Sequence, residues 1–279
     1  MNDMVYLNGN FVSRQEAAVS PDDRGFNFAD GVYEVIKFYK GKPFRMEDHL
    51  DRLERSLREV RIRYAGTRDL PAILMELLMM NGLNESDSGV YIQITRGAHR
   101  RVHHFPENVP PTVYISAFPF GSFTEWLANG IAVITRDDIR WMRCDIKSVS
   151  LLPNTMLYDE ARQSGAGECI LVRGGIVTEA THSTVFGAKD GSLYTHPQSN
   201  LILPGVTRKV ILELCILHGI PFEEKPIPES MLPEMDELFI AGTGSEVTPV
   251  VMVNGKRIGD GKPGKLTRKI QEIFFRVVE

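Results

Sequence analysis

Cysteine is scarce: Cys144, Cys169 and Cys215 are the only three in 279 residues, and no pair has C-x-x-C spacing. An odd, scattered set rules out a disulfide framework and argues against a thiolate metal centre, so no metal is expected and the thiols should be reduced and buried. Long apolar runs are missing too. No stretch approaches the roughly 18 residues that a membrane span requires. The opening Met1-Asn2-Asp3-Met4-Val5-Tyr6 has no basic region followed by an apolar one, so an export signal is not expected and the cytoplasm is the expected compartment. Charge of either sign is nearly balanced, at a formal -4, which gives no reason to expect nucleic acid or an anionic membrane as partner. Internal repeats and low-complexity tracts are absent. What is present, 43% hydrophobic and 24% charged residues, is the composition of a folded protein, long enough for two domains.

The pattern along the chain mixes strand and helix signals. Asn8-Gly9 between short apolar runs predicts a hairpin, and Tyr33 to Tyr39 reads as a strand turned by Lys40-Gly41-Lys42-Pro43. Met46, Leu50, Leu53, Leu57 and Val60 recur at spacings of four and three, the mark of a helix with one buried face. Another helix is predicted over Leu70 to Met80, and strands over Val90 to Thr95 and from Pro110 to Ile115. Phe118-Pro119-Phe120-Gly121-Ser122-Phe123 breaks the periodicity and is the expected linker. Beyond it lie a strand at Ile131 to Ile134, a helix from Thr155 to Ser164, a hairpin on Gly174-Gly175, a turn at Asp190-Gly191, and a helix from Val206 stopped by Gly219. The absence of regular βαβ repetition predicts an α+β fold. The expected division is an N-terminal domain over residues 1–118, a linker over 119–125, and a larger β-rich domain over 126–279.

Individually the polar residues say little. Lys147 within Arg143-Cys144-Asp145-Ile146-Lys147-Ser148 reads by itself as a solvated amine, and Glu179 as a strand-end acid. Leu203-Pro204-Gly205-Val206-Thr207 is more informative, because it opens a helix whose free N–H groups and dipole favour a phosphate. Thr243-Gly244-Ser245-Glu246 is a second small-residue turn of that character. Neither ends in the Gly-Lys-Ser/Thr of a nucleotide-triphosphate loop.

Their order is what carries meaning. Asp23-Arg24-Gly25-Phe26-Asn27-Phe28-Ala29-Asp30-Gly31-Val32-Tyr33-Glu34-Val35 resembles the opening signature of fold-type IV pyridoxal-phosphate enzymes in their D-amino-acid transaminase form. His49-Leu50-Asp51-Arg52-Leu53, the block from Asp138 through Lys147, Glu179 after a hairpin, the Leu203 to Arg208 loop and Thr243 to Pro249 follow in family order, over about nine-tenths of the chain. The resemblance implies a two-domain fold with a smaller N-terminal α/β domain and a larger C-terminal domain carrying the Schiff-base lysine. Pyridoxal 5'-phosphate would be borne by Lys147, which then shuttles the substrate proton, with Glu179 facing the ring nitrogen. Arg52, Thr207, Thr243 and the N–H of Val206 would hold the phosphate, and Leu203 would pack on the ring. Arg140 would orient Glu179, and His49 would support Arg52 or lie on the helix surface.

Arg101-Val102-His103 is similar to the family's substrate-carboxylate trap, supplied by a neighbouring subunit and working with a tyrosine that matches Tyr33. Residues two apart in extended chain point to the same side, and an arginine fork with a histidine donor suits a carboxylate. A solvated basic turn is the alternative for this segment, since Arg96, His99, Arg100 and His104 are close by. The implied protein is a homodimer that moves the amino group of D-alanine and similar D-amino acids to 2-oxoglutarate. A branched-chain L-amino-acid or (R)-amine transaminase, or aminodeoxychorismate lyase, is the alternative on the same fold. One departure stands out. His182 and Thr184 occupy positions where relatives carry a serine and an asparagine, which bears on the contact with the cofactor ring.

Overall fold

The computed structural model describes residues 3–278. Two compact units emerge: Met1–Gly121 with Ile146–Ser150, and Ser122–Asp145 with Leu151–Glu279. The break at 121/122 falls inside the expected linker, although a short helix begins there at Thr124. Lys147 departs from expectation. The sequence places it in the second domain, whereas its segment belongs to the first unit. The cause is backbone pairing: Tyr33 N–H donates to Lys147 O at 3.0 Å and Val149 N–H to Gly31 O at 3.1 Å, with a bridge between Val32 and Ser148. Residues 146–150 thus dock along the start of the strand that carries Tyr33.

The first unit is built on a six-stranded antiparallel sheet of β1 (Met4–Leu7), β2 (Asn10–Ser13), β3 (Gly31–Tyr39), β4 (Lys42–Pro43), β5 (Ser88–Thr95) and β6 (Thr112–Pro119), in the order β2-β1-β6-β5-β3-β4. Helix α1 (Arg24–Phe28) precedes β3, α2 (Met46–Glu59) follows the β4 turn, and α3 (Leu70–Met80) follows α2. The face of β3 bearing Val32, Glu34, Ile36 and Phe38 is buried, as are Leu50, Leu53 and Leu57 of α2 and Leu70, Leu74, Leu77 and Leu78 of α3. Together with Ile92 and Ile94 the apolar members form one cluster. Each leucine taken fully out of water contributes about 1.5–3 kcal/mol, which is why the leucine spacing determines the helix face. Because β3 alternates, Tyr33 projects opposite to Glu34.

The second unit holds α4 (Thr124–Asn129), β7 (Ile131–Asp137), α5 (Leu152–Gln163), β8 (Glu168–Arg173), β9 (Ile176–Ala180), β10 (Thr184–Lys189), β11 (Ser192–Thr195), α6 (Val206–Leu217), β12 (Phe222–Glu224), β13 (Ile227–Pro228), β14 (Glu237–Gly242), β15 (Glu246–Val253), β16 (Lys256–Arg257) and α7 (Lys265–Val278). Its ten-stranded sheet runs β12-β11-β10-β14-β15-β7-β8-β9-β13, with β16 on β15. The pairs β11·β12, β15·β7 and β7·β8 are parallel and the others antiparallel. Mixed pairing without βαβ regularity is the α+β architecture the sequence predicts. All three cysteines are buried and unpaired, and burial pushes their thiols up, to about 11 for Cys144 and Cys215 and about 12 for Cys169.

Candidate active site

In the first unit the half-buried Lys147 places Nζ 4.2 Å from the centre of the Tyr33 ring, and its N–H donates to the Ser56 hydroxyl of α2 at 3.3 Å. The lysine is therefore packed on an aromatic face and held at its backbone on both sides, unlike a free surface amine. Behind Tyr33, on the opposite face of β3, Glu34 is fully buried. It accepts from Arg52 Nε at 2.7 Å and Arg52 Nη2 at 2.9 Å, and His49 Nδ1 lies 2.9 Å from its second oxygen. Burial pushes the Glu34 carboxyl up, but the Arg52 charge and the hydrogen bonds from Arg52 and His49 prevail and hold it far below the usual carboxylate range. His49 is kept low by burial. It is an inside member of this network and not a surface residue of α2. The planar Arg52 fork is thereby fixed in orientation.

Arg101 and His103 are exposed, and the structure brings them together on one ring. The Arg101 guanidinium lies 4.8 Å from the centre of Phe28, and the His103 ring meets Phe28 edge-on at 5.6 Å.

The second unit carries a separate acidic cluster. Glu179, near the end of β9, is buried and accepts from Arg140 Nη1 and from the N–H of Leu203 at 3.1 Å. Asp138 accepts from Arg140 Nε at 2.8 Å and Nη2 at 2.9 Å, so the guanidinium that meets Glu179 is itself fixed in orientation. Asp138 is a member of this cluster that the sequence does not mark as a site residue. The D-x-R spacing that lets one side chain grip the other was the available signal. Burial pushes the Glu179 carboxyl up, and Arg140 and Leu203 offset only part of this, so it stays above its ordinary value. Asp138, with Arg140 and Arg173 beside it, is held low against its own burial.

Around α6 the loop and turns converge. Gly205 caps the helix without a side-chain acceptor, Val206 and Thr207 are buried in its first turn, and a side chain at Gly205 would approach the Thr184 hydroxyl to 3.0 Å. The Thr243 turn joins β14 to β15, with Ser245 Oγ 2.9 Å from Ser183 Oγ. Hydroxyls and free helix N–H groups are the donors an anion takes. His182 turns Nδ1 toward the buried Glu168 carboxylate at 2.9 Å and stacks edge-on against Tyr158 at 5.0 Å. Thr181 also donates to Glu168.

Residues 31–253 match the family described as amino-transferase class IV. The chain is a class IV aminotransferase. Among its relatives, a D-alanine aminotransferase of Staphylococcus haemolyticus is 43% identical over 277 residues, covering 99% of this chain and 98% of that protein. A Bacillus licheniformis protein of the same name is 42% identical over 268 residues, 96% of this chain and 94% of that one. Among solved structures, the Escherichia coli branched-chain amino acid aminotransferase superposes with a TM-score of 0.93 at 28% identity, covering 100% of this chain and 95% of that one. The class IV fold thus accounts for both units of this aminotransferase. None of its described helices is long and apolar enough to cross a membrane.

Proposed function

We propose that this aminotransferase transfers the amino group of D-amino acids, typified by D-alanine, to 2-oxoglutarate, yielding pyruvate and D-glutamate. The observation that carries this reading is that Arg101 and His103, two groups able to donate to a carboxylate, both pack on the Phe28 ring. Full-length similarity to proteins named D-alanine aminotransferase supports it. The branched-chain enzymes resemble this chain in fold at lower identity and favour the alternative only at that level.

The residues present fit pyridoxal phosphate. Glu179 is a buried carboxyl whose burial is only partly offset by Arg140 and the Leu203 N–H, so a protonated ring nitrogen facing it would further favour its charged form. Within the second unit, the α6 N-terminus with Val206 and Thr207 and the Thr243 turn suit its phosphate, and Leu203, tied to Glu179 through its N–H, suits the ring face. Arg52 is assigned to the phosphate by its place in the family's motif order alone. Pyridoxal phosphate, when bound, supplies an aldehyde that takes up amino groups and a ring that draws electrons from the substrate α-carbon. Lys147 is assigned as its anchor, and Nζ as the base that takes the α-proton and later returns one. Tyr33, against which Nζ rests, keeps that amine out of bulk water on one side. Arg101 and His103 grip the substrate carboxylate and so select which face of the α-carbon is presented. We further assign a cytoplasmic homodimer in which the trap serves the neighbouring subunit.

The test is the kinetics of Arg101→Ala with D-alanine and with (R)-1-phenylethylamine, an amine lacking a carboxylate. Loss of a charge-assisted hydrogen bond should lower kcat/KM for D-alanine by roughly 1.5–3 kcal/mol and leave the amine little affected. Equal losses on both substrates would defeat the reading.

A further inference from the structure

The segment bearing Arg101 and His103 has no strand or helix of its own, so something else must hold it. Three contacts from α1 and its surroundings converge on it. The Phe28 ring meets both the Arg101 guanidinium and the His103 ring. Arg24, 2% exposed, donates through Nη1 to the carbonyl of Val102, the residue between them, at 2.6 Å. Just beyond, the centre of the Phe105 ring lies 3.6 Å from the Arg96 guanidinium.

These holders are themselves fixed. Asp30 accepts from Arg24 Nε at 2.8 Å and from Arg96 Nε and Nη2 at 2.7 and 2.9 Å, so one carboxylate anchors both arginines. Arg24 also lies over the Phe28 ring, 4.5 Å from its centre, and so sets the ring it shares with Arg101. Helix α1 is pinned in turn by Asp23, which accepts from Gly25 N–H at 2.8 Å and from the Thr95 and Thr112 hydroxyls at 2.9 and 2.6 Å. Gly25 admits no side chain, because a Cβ there would stand 2.3 Å from Thr95 Cγ2.

We infer that α1 is a platform that presents the carboxylate-binding pair, with Phe28 and Arg24 as positioning residues for Arg101 and His103. The inference rests on the reading of that pair given above. A ring under a guanidinium restricts where it can swing, and a tethered carbonyl between the two side chains sets their spacing. Neither Phe28 nor Arg24 touches the substrate in this scheme. Their effect reaches it through Arg101 and His103.

The experiment uses the holoenzyme as wild type, Arg101→Ala, Phe28→Leu and Phe28→Tyr. KM and kcat are measured for D-alanine with 2-oxoglutarate, and amide hydrogen exchange is followed across residues 98–106. Phe28→Leu should raise the D-alanine KM about tenfold with a smaller change in kcat, and speed exchange in that segment, because the ring contacts are lost while apolar volume is kept. Phe28→Tyr keeps the ring and should behave as wild type. If Arg101→Ala raises KM while Phe28→Leu leaves both KM and exchange unchanged, the platform is overturned and the carboxylate reading stands. If Arg101→Ala leaves KM unchanged, the carboxylate reading falls, and exchange alone decides the platform: faster exchange in Phe28→Leu supports it, unchanged exchange overturns it. Arg24→Gln, with its buried partner Asp30, should act in the same direction as Phe28→Leu, but the conclusion does not depend on that variant folding.

Discussion

Lys147 illustrates how little a single residue says in isolation. By composition it is one of many exposed amines, and only its place in the ordered set of motifs singles it out. Its packing on Tyr33 and the bond from its backbone to Ser56 come from partners about a hundred residues away, which local sequence does not reveal. Lys147→Ala should eliminate the visible absorbance of the covalently held cofactor and slow turnover by roughly 10²–10⁴-fold or more, since anchor and base are lost together. A spectrum unchanged by the substitution would place the anchor on another lysine. Glu179→Gln should leave phosphate binding intact and slow single-turnover transamination, because a neutral amide cannot hold a ring nitrogen protonated. Stopped-flow rates equal to wild type would reduce Glu179 to a structural acid. His182 is legible as a departure from the family, but its partner Glu168 is not. The histidine is turned toward that buried carboxylate, so His182→Ser should lower the melting temperature as well as alter the ring contact, which calorimetry on the apoprotein would detect.

At the scale of elements, periodicity performs well where one face is uniformly apolar. Helix α3 spans the predicted Leu70–Met80, and α2 buries Leu50, Leu53 and Leu57 as their spacing requires. Helix α7 escapes the reading although Ile270, Ile273 and Phe274 have helical spacing, because Thr267 and Gln271 share the buried face and blur the pattern. Helix α1 is too short at five residues for any period to show, and its local signal is the capping Asp23. Its importance lies in tertiary contacts that no local pattern encodes. The buried Glu34–Arg52–His49 network spans β3 and α2 and is likewise a tertiary feature. Removing Glu34 with Glu34→Ala would leave the Arg52 charge buried without this partner and should destabilise the first unit by about 3–5 kcal/mol in urea unfolding. A loss under about 1 kcal/mol, the size of an exposed pair, would mean that water reaches Arg52.

For the whole molecule the α+β architecture is readable in the sequence, whereas the return of residues 146–150 to the first unit is not. That return depends on which strand edge is available, a property of the folded sheet. Stability against acid is also a global property with a definite sign here. Glu34 is held below its ordinary 4.5 and His49 below its ordinary 6.5, so in both cases the unfolded chain binds protons more readily. Their contributions are present above those values and decline as pH falls, so the melting temperature should drop as pH falls below about 6.5 through His49 and further below about 4.5 through Glu34, and Glu34→Gln should flatten the part of the decline below about pH 4.5. The reaction itself is tested most directly by the initial rate of pyruvate formation from D-alanine and from L-alanine, each with 2-oxoglutarate, on the purified holoenzyme. Pyruvate should form from D-alanine at a rate far above that from L-alanine; equal rates, or a preference for L-alanine, would overturn the assignment to D-amino acids.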